Sequence, residues 1–197
     1  MKYGMVYSMI GSALNGMVKP AVDAPARKKI KEEYKQIILR ADDIGAGNKL
    51  ISSYVLAAYF IAMNRCTSLT PQQNFDALEA GMRKSKLMKL LMGDSKNYFS
   101  EKNMESRRAW SKDTYQHKYK NDWVVDVVEG AGQDFVFGLD YKECGVCKLC
   151  RDENCFELAK YLCRLDFMLV ELIGIHLERT QTLADGGDFC DFRFYAK

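Results

Sequence analysis

Cysteine is the residue type most able to do chemistry in this chain of 197 residues, and six of its seven cysteines lie between Cys144 and Cys190. The most conspicuous string is Cys144-Gly-Val-Cys147-Lys-Leu-Cys150-Arg-Asp-Glu-Asn-Cys155. Its C-x2-C-x2-C opening is the spacing with which three thiolates can surround an iron–sulfur cluster, but the fourth cysteine follows after four residues instead of three. Zinc normally takes two separated C-x2-C pairs. Metal binding by this string is therefore one hypothesis, and small buried hydrophobic residues or reduced thiols are the other.

A second candidate site pairs Cys163 with Asp166. Apolar residues recur with a helical period from Asp152 to Phe167, so these two side chains share one face of the predicted helix. A cysteine attacks as the thiolate, and a positive neighbour such as Arg179 has to lower its pKa for this. A carboxylate raises a thiol pKa, so Asp166 fits better as a general acid or base, or as a group that binds a substrate nitrogen. A purely structural role for both residues is the competing interpretation.

The C-terminal segment is predicted to form a hairpin that carries further polar residues. Two strand-like stretches, 175–184 and 187–195, flank Asp185-Gly186, a sequence favoured in two-residue hairpin turns. The resulting register opposes two pairs of residues, Thr180 with Asp191 and Glu178 with Arg193. Strand alternation also places Arg179 and Cys190 on one face. Taken alone, this is equally the pattern of an edge hairpin with surface ion pairs.

Composition and charge restrict the class of protein. Apolar residues make up 48% of the chain and charged residues 28%, as in ordinary globular proteins. The length fits a single domain, with a mainly helical half (1–120) and a half rich in strands and cysteines (121–197). The first half holds 21 Lys and Arg against 11 Asp and Glu, and the second holds 8 against 15. Docking of a basic half on an acidic half explains this asymmetry, and no nucleic-acid motif accompanies the basic residues, so no nucleic-acid partner is expected.

The sequence also predicts the compartment. The most apolar run, Tyr54–Met63, is much shorter than the roughly 20 residues of a transmembrane helix. Glycine and polar residues interrupt Met1–Val18, so this segment does not match a signal peptide. An odd number of cysteines favours a reducing environment. We therefore expect a cytoplasmic protein with no membrane partner.

The order of the predicted elements gives the fold class. The capping box Thr70-Pro71-Gln72-Gln73 opens one helix, and Asp94–Lys120 is expected to be a loop with one broken helix. The remaining elements are two helices at 27–44 and 48–66, the helix that opens at Thr70 and runs to Met92, two strands at 123–128 and 134–141, the helix at 152–167, and the hairpin. This order predicts an α+β fold, with N-terminal helices packed on a C-terminal antiparallel sheet and one intervening helix.

Four segments carry a resemblance to a known family. They are Asn121-Asp122-Trp123-Val124; Phe135–Tyr141 leading to Glu143-Cys144; Leu162-Cys163-Arg164-Leu165-Asp166; and Arg179-Thr180-x-Thr182-Leu183-Ala184-x-Gly186-Gly187 with Cys190-Asp191-Phe192. In this order they resemble the L-2-amino-thiazoline-4-carboxylic acid hydrolase family over roughly residues 95–197. The additional cysteines Cys147, Cys150 and Cys155 depart from the usual pattern and leave room for metal binding.

The resemblance implies a hydrolase that acts on a small cyclic amidine. Water adds to C2 of the thiazoline ring, and expulsion of the thiolate leaves N-carbamoyl-L-cysteine. On this reading Cys163 or Cys190 is the thiol, and Asp166 and Asp191 are acid–base or amidine-binding carboxylates. Arg179 clamps the substrate carboxylate through its planar fork, while Thr182 and Cys144 are further substrate-binding residues.

The resemblance implies no cofactor. The alternative function is a small-molecule sensor or binding module that holds zinc or an iron–sulfur cluster through Cys144, Cys147, Cys150 and Cys155.

Overall fold

A computed structural model describes residues 4–45 and 47–196 of the chain. Its first part is helical, with α1 (Met5–Met17), α2 (Ala24–Arg40), α3 (Ile51–Cys66), α4 (Pro71–Lys84), α5 (Lys86–Met92), α6 (Ser95–Tyr98) and α7 (Glu101–Thr114). Its second part contains β1 (Val124–Glu129), β2 (Phe137–Glu143), α8 (Gly145–Asp152), α9 (Ala159–Leu172), β3 (Ile175–Glu178) and β4 (Cys190–Ala196). The predicted α+β class is confirmed. The segment between β2 and β3 contains α8 in addition to the predicted helix.

The predicted capping box at Thr70 is present. The Thr70 hydroxyl accepts the Gln73 backbone N–H at 3.2 Å, and the Gln73 side chain accepts the Thr70 N–H at 2.9 Å. Pro71 occupies the first turn, where its missing N–H costs nothing. The single helix predicted up to Met92 is instead two helices, because Ser85 caps α5 by accepting the Met88 N–H at 3.2 Å.

The four strands form one antiparallel sheet in the order β1-β2-β4-β3. The predicted pairing of Glu178 with Arg193 is confirmed. The predicted two-residue turn is wrong, because the β3–β4 ladder stops at Glu178 and the connection contains a 3-10 turn from Leu183 to Asp185. Gly186 follows this turn with φ +89°, a conformation that favours glycine.

Two apolar clusters meet at α9. The first joins α1–α4 with α8 and most of α9, and α3 is its most deeply buried element. The second fills the space between the sheet, α7 and the last turn of α9. Tyr141 of β2 packs against both clusters. The helices and the sheet therefore join along α9 and the end of β2.

No helix within residues 4–45 and 47–196 has the length and apolar character that crossing a membrane requires.

Candidate active site

A cavity of about 100 Å³ lies where the helices join the sheet. Five residues predicted to form the site line it: Cys144, Cys163, Asp166, Arg179 and Cys190. They come from four places in the chain, namely the start of α8, the middle of α9, the end of β3 and the start of β4. Folding the C-terminal strands back against α9 therefore places three thiols, one carboxylate and one guanidinium around one space.

Asp166 and Arg179 form an ion pair in the wall of this cavity. Arg179 Nη1 donates to Asp166 Oδ2 at 2.8 Å, and Arg179 Nη2 donates to the Cys163 carbonyl oxygen at 3.0 Å. The arginine side chain is 6% exposed and lies between the rings of Phe167 and Phe192, at 4.9 and 5.0 Å from their centroids. Removal from solvent raises the pKa of Asp166 to about 6, and the Arg179 charge only partly offsets this effect. The ion pair therefore fixes the Asp166 carboxylate in position, and the raised pKa of Asp166 lies closer to neutral pH than that of an ordinary aspartate.

Cys144 lies at the N-terminal end of α8. The neighbouring Cys147 side chain lowers the pKa of Cys144, although burial opposes this effect. The backbone N–H groups of Cys147 and Val146 face the same sulfur and lower the pKa further, without a capping hydrogen bond of standard geometry. A position at a helix N-terminus favours a thiolate.

Close packing fixes the start of α8 against the chain before β1. A side chain at Gly145 would come within 2.4 Å of the Asn121 carbonyl and 2.8 Å of the Trp123 ring, so only glycine allows this approach. Lys148 Nζ donates to the Asp122 carbonyl at 2.8 Å and also to the Glu143 carboxylate. The Asn121-Asp122-Trp123 segment of the family resemblance therefore holds the helix that presents Cys144.

The other two cavity thiols lie in less favourable surroundings for ionisation. Burial raises the pKa of Cys163, and the nearby Asp166 charge raises it further. Burial raises the pKa of Cys190 to about 11, although its sulfur accepts the Leu183 backbone N–H at 3.3 Å. At neutral pH both are thiols.

The rest of the cavity wall is mostly apolar and includes residues that the sequence did not indicate. Tyr141 lies opposite Cys190 in the sheet, its ring packs edge-on against Phe192 at 5.1 Å, and burial raises its pKa well above the usual value. Ser53 comes from α3 and Trp123 from the residue before β1. Of these residues, only Tyr141 could have been found from the sequence, by strand pairing, because the residue opposite Cys190 in the neighbouring strand lies on the same face of the sheet.

Two predicted site residues lie outside the cavity lining. The Asp191 carboxylate accepts the Thr180 N–H at 2.9 Å, the Gln181 N–H at 2.8 Å and the Thr180 hydroxyl at 2.6 Å. Burial alone would raise the pKa of Asp191, but these hydrogen bonds lower it. Thr182 is buried and caps the 3-10 turn by accepting the Asp185 N–H at 3.1 Å. Both side chains organise the β3–β4 connection that carries Arg179.

The four cysteines of the predicted metal string form two pairs. Cys144 and Cys147 alter each other's pKa, and Cys150 and Cys155 do the same, as neighbouring thiols do. Cys147 and Cys150 are buried within α8. Among residues 4–45 and 47–196, no three His, Cys, Asp or Glu side chains are arranged to hold a metal ion. This geometry does not favour the zinc or iron–sulfur alternative.

The fold is α+β, and its cavity is lined by thiols, one carboxylate and one guanidinium among apolar side chains. Residues 48–194 match the L-2-amino-thiazoline-4-carboxylic acid hydrolase family, and since this is more than half of the chain, the chain belongs to that family. Neither a curated protein nor a solved structure matches the chain.

Proposed function

We propose that the chain is a hydrolase that opens a small cyclic amidine, such as 2-amino-thiazoline-4-carboxylate, to an N-carbamoyl amino acid. Membership of the family supports the reaction class. The observation that carries the proposal is the cavity itself, where Asp166, Arg179 and three thiols surround one space. Amidine hydrolysis needs a group that binds the nitrogens, a base or nucleophile for C2, and a proton for the leaving sulfur.

We assign two roles to Asp166: it binds the amidine nitrogens of the substrate, and it transfers protons. A protonated amidine is a planar cation whose N–H groups match a carboxylate. With a pKa of about 6, Asp166 is mostly ionised at neutral pH and still close enough to that pH to accept and return a proton. Arg179 fixes the carboxylate through the 2.8 Å bond, which pre-organises the site before substrate enters.

The apolar wall supports the same chemistry. Leu56, Leu162 and Leu165 line the cavity with Trp123 and Phe192, and these side chains exclude water from around the bound ring. In such surroundings the interaction between the amidinium and Asp166 is stronger than in bulk water. The reaction adds one water at C2, breaks the C2–sulfur bond and forms the urea carbonyl. The sulfur leaves and takes up a proton.

Arg179 and the thiols Cys163 and Cys190 keep their predicted roles as proposals. Two N–H groups of Arg179 are taken by Asp166 and the Cys163 carbonyl, so a substrate carboxylate would have to bind the remaining ones. Asp191 is better suited to positioning the loop than to proton transfer, because its oxygens already accept three hydrogen bonds.

The test is to incubate the purified chain with 2-amino-thiazoline-4-carboxylate and to quantify N-carbamoyl-L-cysteine by mass spectrometry. Asp166→Asn is expected to lower kcat by about 100-fold or more, as removal of a general acid–base usually does. Asp188→Asn is the matched control, since Asp188 is an exposed carboxylate in the β3–β4 connection and lies outside the cavity lining. No product from the wild-type chain, or equal losses in both variants, would refute the proposal.

A further inference from the structure

Tyr141 brings a phenol hydroxyl to the cavity wall, and the described part of the chain gives this hydroxyl no partner. The residue lies near the end of β2, opposite Cys190 of β4, and is half-buried in the cavity lining. Within residues 4–45 and 47–196, the Tyr141 hydroxyl forms no hydrogen bond. A hydroxyl withdrawn from water without a partner is destabilising, and such groups are uncommon in folded proteins. The Tyr141 hydroxyl is therefore available to a ligand.

We propose that the Tyr141 hydroxyl donates a hydrogen bond to the carboxylate of the substrate and so selects cyclic amidines that carry a carboxylate. This inference rests on the proposed function and adds a residue that recognises the substrate. Arg179 supplies the guanidinium of the cavity wall, but its side chain is 6% exposed, and two of its N–H groups bind Asp166 and the Cys163 carbonyl. A substrate carboxylate therefore needs a further donor.

Phe192 places the phenol and the guanidinium around one aromatic side chain. The centroid of the Phe192 ring lies 5.1 Å from the centroid of the Tyr141 ring and 5.0 Å from Cζ of Arg179. Strand β2 pairs with β1 on one side and with β4 on the other, which fixes the backbone of Tyr141. A carboxylate bound here receives a hydrogen bond from the hydroxyl and electrostatic attraction from the guanidinium.

The Tyr141 hydroxyl remains a donor at neutral pH. Burial raises the pKa of Tyr141 well above its usual value, and the charge of Asp166 raises it further. The phenol therefore keeps its proton. A hydrogen bond from this neutral donor to a carboxylate is stronger than a hydrogen bond between two neutral groups, so a ligand without the carboxylate gains less from Tyr141.

Three other donors of the site are less suited to this role. Ser53 lies in the first turn of α3, where a serine hydroxyl can turn to a backbone carbonyl of the preceding turn. Trp123 is 2% exposed, so little of its indole ring reaches open space. Thr182, a substrate-binding residue expected from the resemblance, caps the 3-10 turn and lies outside the cavity lining. The phenol hydroxyl of Tyr141 cannot reach its own backbone, which favours Tyr141 as the donor.

The first experiment measures binding and does not depend on hydrolysis. The probe 2-aminothiazole-4-carboxylate is an aromatic analogue that keeps the carboxylate and resists ring opening, and 2-aminothiazole lacks the carboxylate. In isothermal titration calorimetry, Tyr141→Phe should raise the Kd of the first ligand about tenfold or more, as loss of one hydrogen bond to a charged group predicts, and leave the Kd of the second unchanged. Tyr195→Phe is the matched control and should change neither Kd, because the Tyr195 hydroxyl donates to Glu178 at 2.8 Å and lies outside the cavity lining.

Several outcomes of this titration would overturn the inference. Failure of the wild-type chain to bind the carboxylate analogue, or an unchanged Kd in Tyr141→Phe, would show that the hydroxyl does not recognise the carboxylate. Equal losses for both ligands would mean that Tyr141 acts on the ring or on the shape of the cavity. A lower free energy of unfolding for Tyr141→Phe in urea would mean that the hydroxyl has a structural partner, which also contradicts the inference.

The second experiment uses the substrate 2-amino-thiazoline-4-carboxylate. Tyr141→Phe should raise KM and leave kcat nearly unchanged, because the carboxylate lies away from the reacting C2. A fall in kcat with KM unchanged would overturn the inference, since it would place Tyr141 at the reacting atoms. Selective loss of analogue binding in a chain that does not hydrolyse the thiazoline would support the inference and refute the proposed function. Hydrolysis with an unchanged KM in Tyr141→Phe would do the reverse.

Discussion

The pH dependence of hydrolysis gives a quantitative test of Asp166. The carboxyl has a pKa of about 6 because burial outweighs the attraction of Arg179. If the ionised form is the base, about nine-tenths of the free enzyme is competent at pH 7 and about one-tenth at pH 5. We therefore expect kcat/KM to fall nearly tenfold between these values. An exposed aspartate with a pKa near 4 would leave activity almost unchanged over this range.

The assay is the pH profile of kcat/KM from initial rates of N-carbamoyl-L-cysteine formation. Arg179→Gln removes the charge that lowers the pKa of Asp166, so the acid limb should move to higher pH. Arg193→Gln is the matched control. Arg193 pairs with Asp140 at 2.8 Å and lies outside the cavity lining, so its loss should leave the limb in place. A limb near pH 4, or one that Arg179→Gln does not move, would refute this account of Asp166.

Two further predictions concern stability and are read from urea denaturation. Gly11→Ala should lower the free energy of unfolding by about 1–3 kcal/mol, because its methyl group would lie 2.4 Å from the Tyr34 ring. Gly16→Ala in the same helix is the control: its methyl group would meet nothing within 4 Å, so it should raise the free energy of unfolding by up to about 1 kcal/mol. Equal effects of the two changes would contradict the packing of α1. Glu153→Ala should lower the free energy of unfolding by about 2–3 kcal/mol, because Glu153 is 6% exposed and accepts hydrogen bonds from two partly solvated arginines. Glu32 is exposed, so the control variant Glu32→Ala should lower it by less than about 0.5 kcal/mol. Burial alone would raise the pKa of Glu153, but the two arginines lower it below its value in the unfolded chain. The stability that Glu153 contributes is therefore complete above the unfolded pKa near 4, and it is lost as the pH falls through the lower folded pKa. If Glu153→Ala destabilised the protein equally in acid, the pairing would be contradicted.

Local periodicity was enough to predict part of the site. Helical spacing placed Cys163 and Asp166 on one face of α9, and both line the cavity. Strand alternation placed Arg179 and Cys190 together, and both line the same cavity. The first prediction succeeded because side-chain direction within one helix follows from backbone geometry, and the second because the pairing of Glu178 with Arg193 was predicted correctly and sets the faces of both strands.

Other parts of the site depend on contacts that spacing does not reveal. The cysteine string resembled a metal motif because the sequence shows the spacing of the thiols. It does not show that Cys147 and Cys150 lie on the buried face of α8. Asp191 appeared equivalent to Asp166 as a carboxylate, yet it binds the backbone of its own loop, as aspartates in turns often do. Ser53 belongs to α3, far from the C-terminal segment in sequence, and only the packed structure brings it to the cavity.

The position of bound substrate tests the central claim most directly. A crystal structure of Asp166→Asn with 2-amino-thiazoline-4-carboxylate should show the ligand inside the cavity, with its amidine nitrogens at residue 166. A ligand bound anywhere else in the molecule, or an empty cavity in crystals grown at saturating ligand, would contradict the account.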